Sequence, residues 1–387
     1  MKASTKDFVE AYKAHFKGNI AEFHQHLVTN YGYTQSSKSS TARKIARLKS
    51  IGALPLEAGV SVEHGTVLTG MSRYHKLEDG GVWVKSDVEK SNQLTAFKDA
   101  VESLLTNVRQ PLSFVSPATT NQDKITIYTI GDAHIGMLAH KAETGNDNDL
   151  KIAEADLRGG MTILCEQSTP THECFIIDVG DWFHSDNQSN TTSKSNNKLD
   201  VDGRYHKVLE VGLRLITELI DLALTKHELV RWRSAIGNHD EHSSIMATAF
   251  VKAYYRNEPR VVVHDTPNPF MYFQFGKNLI GVTHGHTIKA DKLGEVMSVD
   301  CEDIWSSTKY RFWYTGHVHH LSTKEYPSCV VETFRTLAGK DAWHSTSGYR
   351  SGQDMKAITL HKDFGEISRN TVNINAILSE RTKQQGA

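Results

Sequence analysis

The stretch "FIIDVGDWFHSDN", residues 175–187, begins as a buried strand and ends in side chains that a strand does not need. Phe175, Ile176, Ile177 and Val179 lead into Gly180-Asp181, two aromatics and His184 follow, and the chain then turns to Asn and Ser. A short continuous apolar run of this kind suits a strand covered on both faces, as in a parallel sheet with helical crossovers. Its carboxyl end carries a carboxylate and an imidazole three residues apart. In open α/β sheets, that end is where ligands bind.

The same texture extends to either side. Upstream, "ITIYTIGD" reads as a strand from Ile125, with a helix within about residues 150–166. Downstream, "RYHKVLEVGLRLITELIDLAL" reads as a long amphipathic helix, "LVRWRSAIGN" as a third strand and "SIMATAFVKAYY" as a helix. The remainder is richer in strands: "RVVVHD", "FMYFQF", "LIGVTHG", "RFWYTGH", "CVVETF" and "MKAITLH". Parallel strands with helical crossovers, followed by a β-rich half, predict an α/β fold with two sheets packed face to face.

Five of these strands end alike. The ends are Gly131-Asp132-Ala133-His134, Gly180-Asp181 with His184 beyond, Gly237-Asn238-His239-Asp240, "THGH" with His284 and His286, and "GHVHH" with His317, His319 and His320. Each has a glycine alongside, which allows a sharp turn. Carboxylates and imidazoles without thiolates suit Mn²⁺, Fe²⁺ or Zn²⁺. The ligands are too many for one tetrahedral ion, but suit two ions sharing a carboxylate, about 3.5–4 Å apart as in phosphoryl-clamping sites. Taken singly, Asp-x-His is a chance pattern and Gly-Asp after a strand is usually a turn. With 21 histidines in the chain, abundance carries no weight, and His140, His172, His206 and His227 are read as plain surface residues. The ordered set at five strand ends is what carries the inference.

Asp-x-His, Gly-Asp, Gly-Asn-His-Asp, His-Gly and Gly-His-x-His in this order resemble the calcineurin-like metallophosphoesterase superfamily, from about Ile125 to at least His320. The resemblance implies a four-layer β-sandwich flanked by helices, with a dinuclear site at one edge. Asp132, His134, Asp181 and His319 would bind one metal; Asp181 (bridging), Asn238, His284 and His317 would bind the other. Mn²⁺ is the first expectation, with Fe²⁺ and Zn²⁺ open. A bridging hydroxide would attack phosphorus, with His239 stabilising or protonating the leaving-group oxygen. Phosphatases of the superfamily usually carry an acid three residues after the bridging Asp. His184 there, with "DAHIG" and "GNHD", is similar to the SbcD-type DNA nucleases, and would assist His239 or touch the substrate phosphate. The plainer alternative is that His184 only fixes a loop by a hydrogen bond.

Only some 65 residues, read mostly as strands, follow His320. A large DNA-capping domain is therefore not expected, and this argues against the coiled-coil ATPase partner of that branch. The extra segment lies at the front, a layout similar to phosphoesterases of phages and prophages. Residues 1–60 read as a helix-turn-helix-like segment whose last helix, "SKSSTARKIARLKSIG", carries Arg43, Lys44, Arg47 and Lys49 as candidate DNA contacts. Solvation alone would also explain such a basic face. Residues 61–108 read as a β-hairpin, turning at Asp79-Gly80-Gly81, plus a helix over 93–108, a candidate wing. Residues 109–124 read as a linker, and 125–387 as the phosphoesterase domain.

Two loops are candidates for shaping the substrate site. Residues 185–203 are polar and long enough to cover the metals or grip a strand. "GKDAWHSTSGYRSGQD" carries Lys340, Trp343, His344, Tyr349 and Arg350; aromatics among cations suit base stacking, and packing on the sandwich edge is the alternative.

Bulk properties set limits. A formal net charge of −1 leaves any nucleic-acid affinity to a local basic face. A hydrophobic share of 39% and a charged share of 23% fit a soluble globular protein. Four scattered cysteines argue against a zinc ribbon or disulfide framework and fit a reducing cytoplasm, and no membrane span or signal peptide is evident. The expected function is hydrolysis of nucleic-acid phosphodiesters, DNA first, with monomer and homodimer both open. The rival within enzymes is a phosphomonoesterase or cyclic-nucleotide phosphodiesterase with a regulatory front module. A non-catalytic interaction protein on the same fold is the rival outside them.

Overall fold

The computed structural model describes residues 5–15, 20–31, 41–45, 48, 71–77, 80–86, 117, 120–192 and 195–385. The chain divides into two compact units, Met1–Val84 and Lys85–Ala387.

In the first unit, α1 (Thr5–His15) and α2 (Ile20–Tyr31) pack with the helical residues 41–45 around Phe8, Ala11, Tyr12, Phe23, Leu27, Ile45 and Leu48. Phe8 and Tyr12 recur at helical spacing, and each meets Phe23 edge to face, at 5.6 and 5.5 Å. Ile20 is 36% exposed at the start of α2. His24 Nδ1 lies 2.8 Å from the Thr41 hydroxyl. Strands β1 (Met71–Leu77) and β2 (Gly80–Ser86) pair in a two-stranded sheet, with Gly80 and Gly81 inside β2 rather than in the turn. The helix expected over 93–108 lies outside the described residues, as do Arg47 and Lys49.

The second unit begins with β3 (Asn121–Ile130), four residues before the expected start, so the expected linker ends inside a strand. There follow α3 (Leu150–Gln167), β4 (Thr171–Asp178), α4 (Tyr205–Leu224), β5 (Leu229–Ser234), α5 (Glu241–Tyr254) and β6 (Val261–Val263). Then come β7 (Met271–Phe275), β8 (Asn278–Val282), α6 (Leu293–Asp300), β9 (Tyr310–Thr315), β10 (Ser322–Glu325) and β11 (Val330–Thr333). The chain ends with the short helix α7 (Ala342–Thr346), β12 (Asp354–His361), β13 (Gly365–Asn373) and α8 (Ile374–Gln385). The region after His320 is thus less uniformly strand than expected.

A six-stranded sheet runs β13-β12-β3-β4-β5-β6, parallel from β3 to β6, with β12 antiparallel to both its neighbours. A five-stranded sheet runs β10-β11-β9-β8-β7. Strand alternation sends alternate side chains into two cores. Ile125, Ile127, Phe175, Ile177 and Val179 meet Ile280, Val282 and Tyr314 between the sheets. Tyr128, Ile130, Cys174 and Ile176 pack on Leu157, Met161, Leu215, Ile216, Phe250 and Ile377 of the covering helices. On the far face of the second sheet, Leu279, Trp313 and Val331 pack on Leu293 and Met297 of α6. Helices, sheet, sheet and helix make four layers, which is why the run 175–179 is apolar at both parities. All four cysteines are buried free thiols, and no described helix is long and apolar enough to cross a membrane.

Candidate metal centre

Both sheets deliver their carboxyl ends to one place. The segments after β3, β4 and β5 supply Asp132, His134, Asp181, His184, Asn238 and His239, and those after β8 and β9 supply His284, His317 and His319. The backbone there is constrained. Among the described residues, seven other than glycine have left-handed φ, and five of them are expected ligands: Asp132 (36°), His134 (44°), Asp181 (55°), His317 (72°) and His319 (54°). Each such residue costs about 1–3 kcal/mol and persists only where its surroundings over-determine it. So the ligands themselves make much of the sharp turning that had been expected of their glycines. Gly237 serves close approach instead: a Cβ there would lie 2.0 Å from Asp181 Oδ1.

Two ligand groups emerge, Asp132–His134–His319 and Asp181–His284–His317, each with donor atoms within 4.8 Å of one another. Their atoms face each other in ways a cation would resolve. His284 Nδ1 lies 2.9 Å from the Val179 carbonyl and so donates to it. That leaves Nε2, 3.0 Å from Asn238 Oδ1 and 3.2 Å from Asp181 Oδ2, a convergence of lone pairs that demands a proton or a metal. In the other group, His134 Nε2 and His319 Nε2 are 3.0 Å apart, and Asp132 Oδ1 lies 3.5 Å from the latter. Divalent ions with ligands at about 2.0–2.2 Å keep such donors this close. The residues present therefore fit a pair of divalent ions, one at each Asp–His–His group.

The electrostatics agree. Burial pushes the His284 imidazole down, but Asp181 and Asp132 outweigh it and raise the ring to about 10. Burial likewise raises Asp181, and His284 with the neighbouring imidazoles overrides it, holding the carboxyl well below its ordinary range. His319 is raised by Asp132 against its own burial. His134, buried among imidazoles, is driven well below 6.5 by desolvation first and by His239 next. The centre calls for positive charge that is not simply protons on every ring.

A third group joins His134, His184 and His239. His184 is 1% exposed; its Nδ1 is 3.2 Å from His134 Nδ1, and its ring stacks on His239 at 5.4 Å. Burial, then the neighbouring His239, lowers His184 to about 3, so it is a neutral ring. Its Nε2 is buried and has no hydrogen-bond partner among the described residues. His239 is half-buried. Its Nδ1 lies 2.9 Å from the His184 carbonyl, and its backbone N–H donates to Asp181 Oδ1 at 2.8 Å. Asp132 accepts from the His317 N–H at 2.8 Å, tying the two sheets together.

Sequence reasoning missed Asp341 and Asp178, and placed His344 outside the centre. Asp341 Oδ1 accepts from both the backbone N–H and Nδ1 of His344, each at 2.7 Å, and His344 stacks on His319 at 4.5 Å. An Asp three residues before a His in a short polar segment was the available signal. Asp178 is fully buried, raised to about 7 by burial, and accepts from Ser234 Oγ at 2.5 Å and Gly180 N at 3.1 Å. A carboxylate inside an otherwise apolar run was the available signal. His227, read as a surface residue, is fully buried, whereas His140 and His206 are exposed. The loop 185–203 is pinned at its start, where Asp186 accepts from the N–H groups of His242 and Ser243 at 2.9 and 2.8 Å.

No protein-family model matches the sequence, and no curated protein does. Among solved structures, the chain is similar to an archaeal phosphodiesterase at 14% identity and a TM-score of 0.32, over 64% of this chain and 99% of that one. It is similar to vacuolar protein sorting 29 from Cryptosporidium parvum at 13% and 0.31, over 65% and 100% of the two chains. It is also similar to a 5'-nucleotidase precursor from Thermus thermophilus at 10% and 0.31, over 67% and 59%.

Proposed function

We propose that this protein is a dinuclear metal-dependent phosphodiesterase acting on nucleic acid, DNA first. The observation that carries the reading is the pair of Asp–His–His ligand groups, with the Asp181 carboxylate of one lowered both by its own His284 and by His134 of the other. Asp132, His134, Asp181 and His319 would hold one ion, and Asp181, Asn238, His284 and His317 the other. Mn²⁺ is the first choice, with Fe²⁺ and Zn²⁺ compatible with the same donors. When bound, such ions supply Lewis-acid polarisation of the phosphoryl group and a nucleophilic water of lowered pKa.

The chain's own residues do the rest. Because the His184 carbonyl accepts from His239 Nδ1, His239 keeps Nε2 to hold a proton for the leaving oxygen. His184 packs its ring against both His134 and His239 and acts as a positioning residue. The left-handed ligand residues hold their donors in place before substrate arrives. Beside His317, an open groove of about 500 Å³ is lined by Lys289 and His320. In the N-terminal unit, Arg43 is exposed, whereas the Lys44 amine lies 4.4 Å over the Phe8 ring, so the two basic residues are unequal candidates for a DNA phosphate.

The test is a paired assay on purified protein with Mn²⁺: linear and circular DNA, single- and double-stranded, against small phosphate mono- and diesters, with Asp181→Asn as control. DNA cleavage abolished by that substitution supports the reading. Intact DNA with turnover of small esters overturns the nucleic-acid part of it.

A further inference from the structure

Outside the ligand residues, one exposed surface is built of rings and cations and is joined to the centre by stacking. Trp343 is 61% exposed, an unusual position for the largest apolar side chain. It is no isolated ring. Trp343 meets His344 edge to face at 5.0 Å and Tyr349 at 5.7 Å; Tyr349 meets His344 at 5.0 Å; and His344 stacks on His319 at 4.5 Å. A ladder of rings thus runs from an expected metal ligand to the surface. Asp341 fixes it by its two bonds to His344. Arg350 is exposed and donates Nη1 to the Tyr349 carbonyl at 2.7 Å, which holds its guanidinium beside the rings. Lys340 lines the crevice beneath with His319, His344 and Tyr349.

We infer that Trp343, backed by Tyr349 and flanked by Arg350 and Lys340, is a stacking platform for an unpaired nucleobase next to the scissile phosphate. This rests on the nucleic-acid reading above. The crevice under the rings holds about 50 Å³, too small for a base, so the base lies on the exposed indole and not in a pocket. Stacking on an open face is tolerant of base identity, because every base has a π-face, and it requires a strand whose bases are not already paired. The cations are suited to the adjoining phosphates. The platform therefore selects single-stranded substrate or frayed ends, with little sequence preference.

The experiment uses the full chain with Mn²⁺ and two single-stranded oligomers of equal length, oligothymidylate and its abasic counterpart. Wild-type protein is expected to show a lower KM for the base-bearing oligomer. Trp343→Ala is expected to raise that KM about 5- to 100-fold and to bring the KM ratio of the two oligomers close to one. Trp343→Phe, which keeps an aromatic face, restores most of the preference. A ratio unchanged by Trp343→Ala, or a wild type with no preference for bases, overturns the platform while leaving the nuclease reading intact. If wild-type protein cleaves neither oligomer yet turns over small esters, the nuclease reading itself falls, and the platform with it.

Discussion

The ligand-bearing segments and the segment 339–353 lie side by side and are built on opposite terms. In the first, the backbone does the positioning: five ligand residues sit at left-handed φ, and glycines pass within touching distance of carboxylates. In the second, positioning falls to side chains, through stacked rings and one carboxylate, and the backbone is unremarkable apart from Gly348, whose surroundings are open. The difference suits two tasks. Metal ligands must be held to fractions of an ångström, which strain held in place by packing can do. A surface that grips varied substrate needs exposed, adaptable contacts, and those tolerate change.

Asp181 is the place to break the first region. Asp181→Asn keeps the shape but removes the charge that faces His284 of its own ligand group and His134 of the other. Loss even of a ligand's hydrogen-bond partner costs about 10–100-fold, so here phosphodiesterase activity is expected to fall by more than about 100-fold. Metal analysis should show at least one equivalent lost. Chelation of the wild type should match it, and should lower Tm by several degrees because bound ions stabilise only the folded state. A fully active, metal-replete Asp181→Asn protein would remove the centre from the mechanism.

Glycine substitutions sharpen the contrast. In Gly237→Ala the new Cβ would lie 2.0 Å from Asp181 Oδ1 and 2.3 Å from its backbone nitrogen, so the loop must shift. Metal content and activity are expected to drop by about 10-fold or more, with a stability loss of about 2–4 kcal/mol from overpacking a close-packed site. Gly348→Ala has the opposite setting: φ is +85°, but nothing lies within 4 Å. Only the backbone preference is lost, about 1 kcal/mol in a denaturation midpoint, with metal content unchanged. Equal effects at the two positions would refute the division of labour.

How much of this was legible follows from the same contrast. The strand ends could be read because a buried strand has no use for Asp, Asn or His, so the motif stood out against apolar flanks. Phe175, Ile176 and Ile177 announced a strand covered on both faces, and two cores indeed receive them alternately. The left-handed φ of His134 and His317 was invisible, since it reflects the packing of two sheets and not a local preference. Asp178 was visible inside an apolar run, but its bond from Ser234 on the neighbouring strand was not. The exposed strand Ser322–Glu325 hid because no apolar alternation marks it. Asp341 and His344 reach the centre from the carboxyl end of β11, which lies beside that of β9 because the two strands are parallel, and spacing does not encode that pairing.

A middle-sized effect should come from Asp341. Burial raises its carboxyl, but the bonds from His344 hold it down at about 2, so it is a carboxylate at any working pH. Asp341→Asn keeps one acceptor but loses the charge that holds the His344 ring against His319. It is expected to lower kcat by a few-fold up to about 10-fold, at the weak end of what partners of ligands cost. The shift should appear in metal affinity more than in KM for a small diester. A change in KM alone would place Asp341 with the substrate surface and not with the centre.

The smallest effect on chemistry is expected at His227, and it asks whether a buried imidazole needs a metal to explain it. His227 precedes β5, at the end of the sheet opposite the ligands. Its Nδ1 lies 2.9 Å from the Thr171 carbonyl and so donates to it, leaving Nε2 to accept from the Tyr128 hydroxyl at 2.9 Å. Both bonds belong to the neutral ring, and burial depresses its pKa from 6.5 to about 4. In the window between those values, the unfolded chain binds the proton and the folded chain does not. The stability that the neutral ring contributes is therefore fully present above pH 6.5 and lost as pH falls towards 4, up to about 3 kcal/mol. His264, also lowered to about 4, titrates in the same window, so the wild-type slope alone does not isolate His227. His227→Gln does, because glutamine can offer a donor and an acceptor but cannot take up the proton. Urea denaturation of both proteins at pH 7.5 and 4.5, under identical metal conditions, should show the stability gap narrowing or reversing at the lower pH, with wild-type activity at pH 7.5 in both. A gap independent of pH would mean that the ring is hydrated or protonated in the folded chain, against the burial and bonding that set it apart from the ligand histidines.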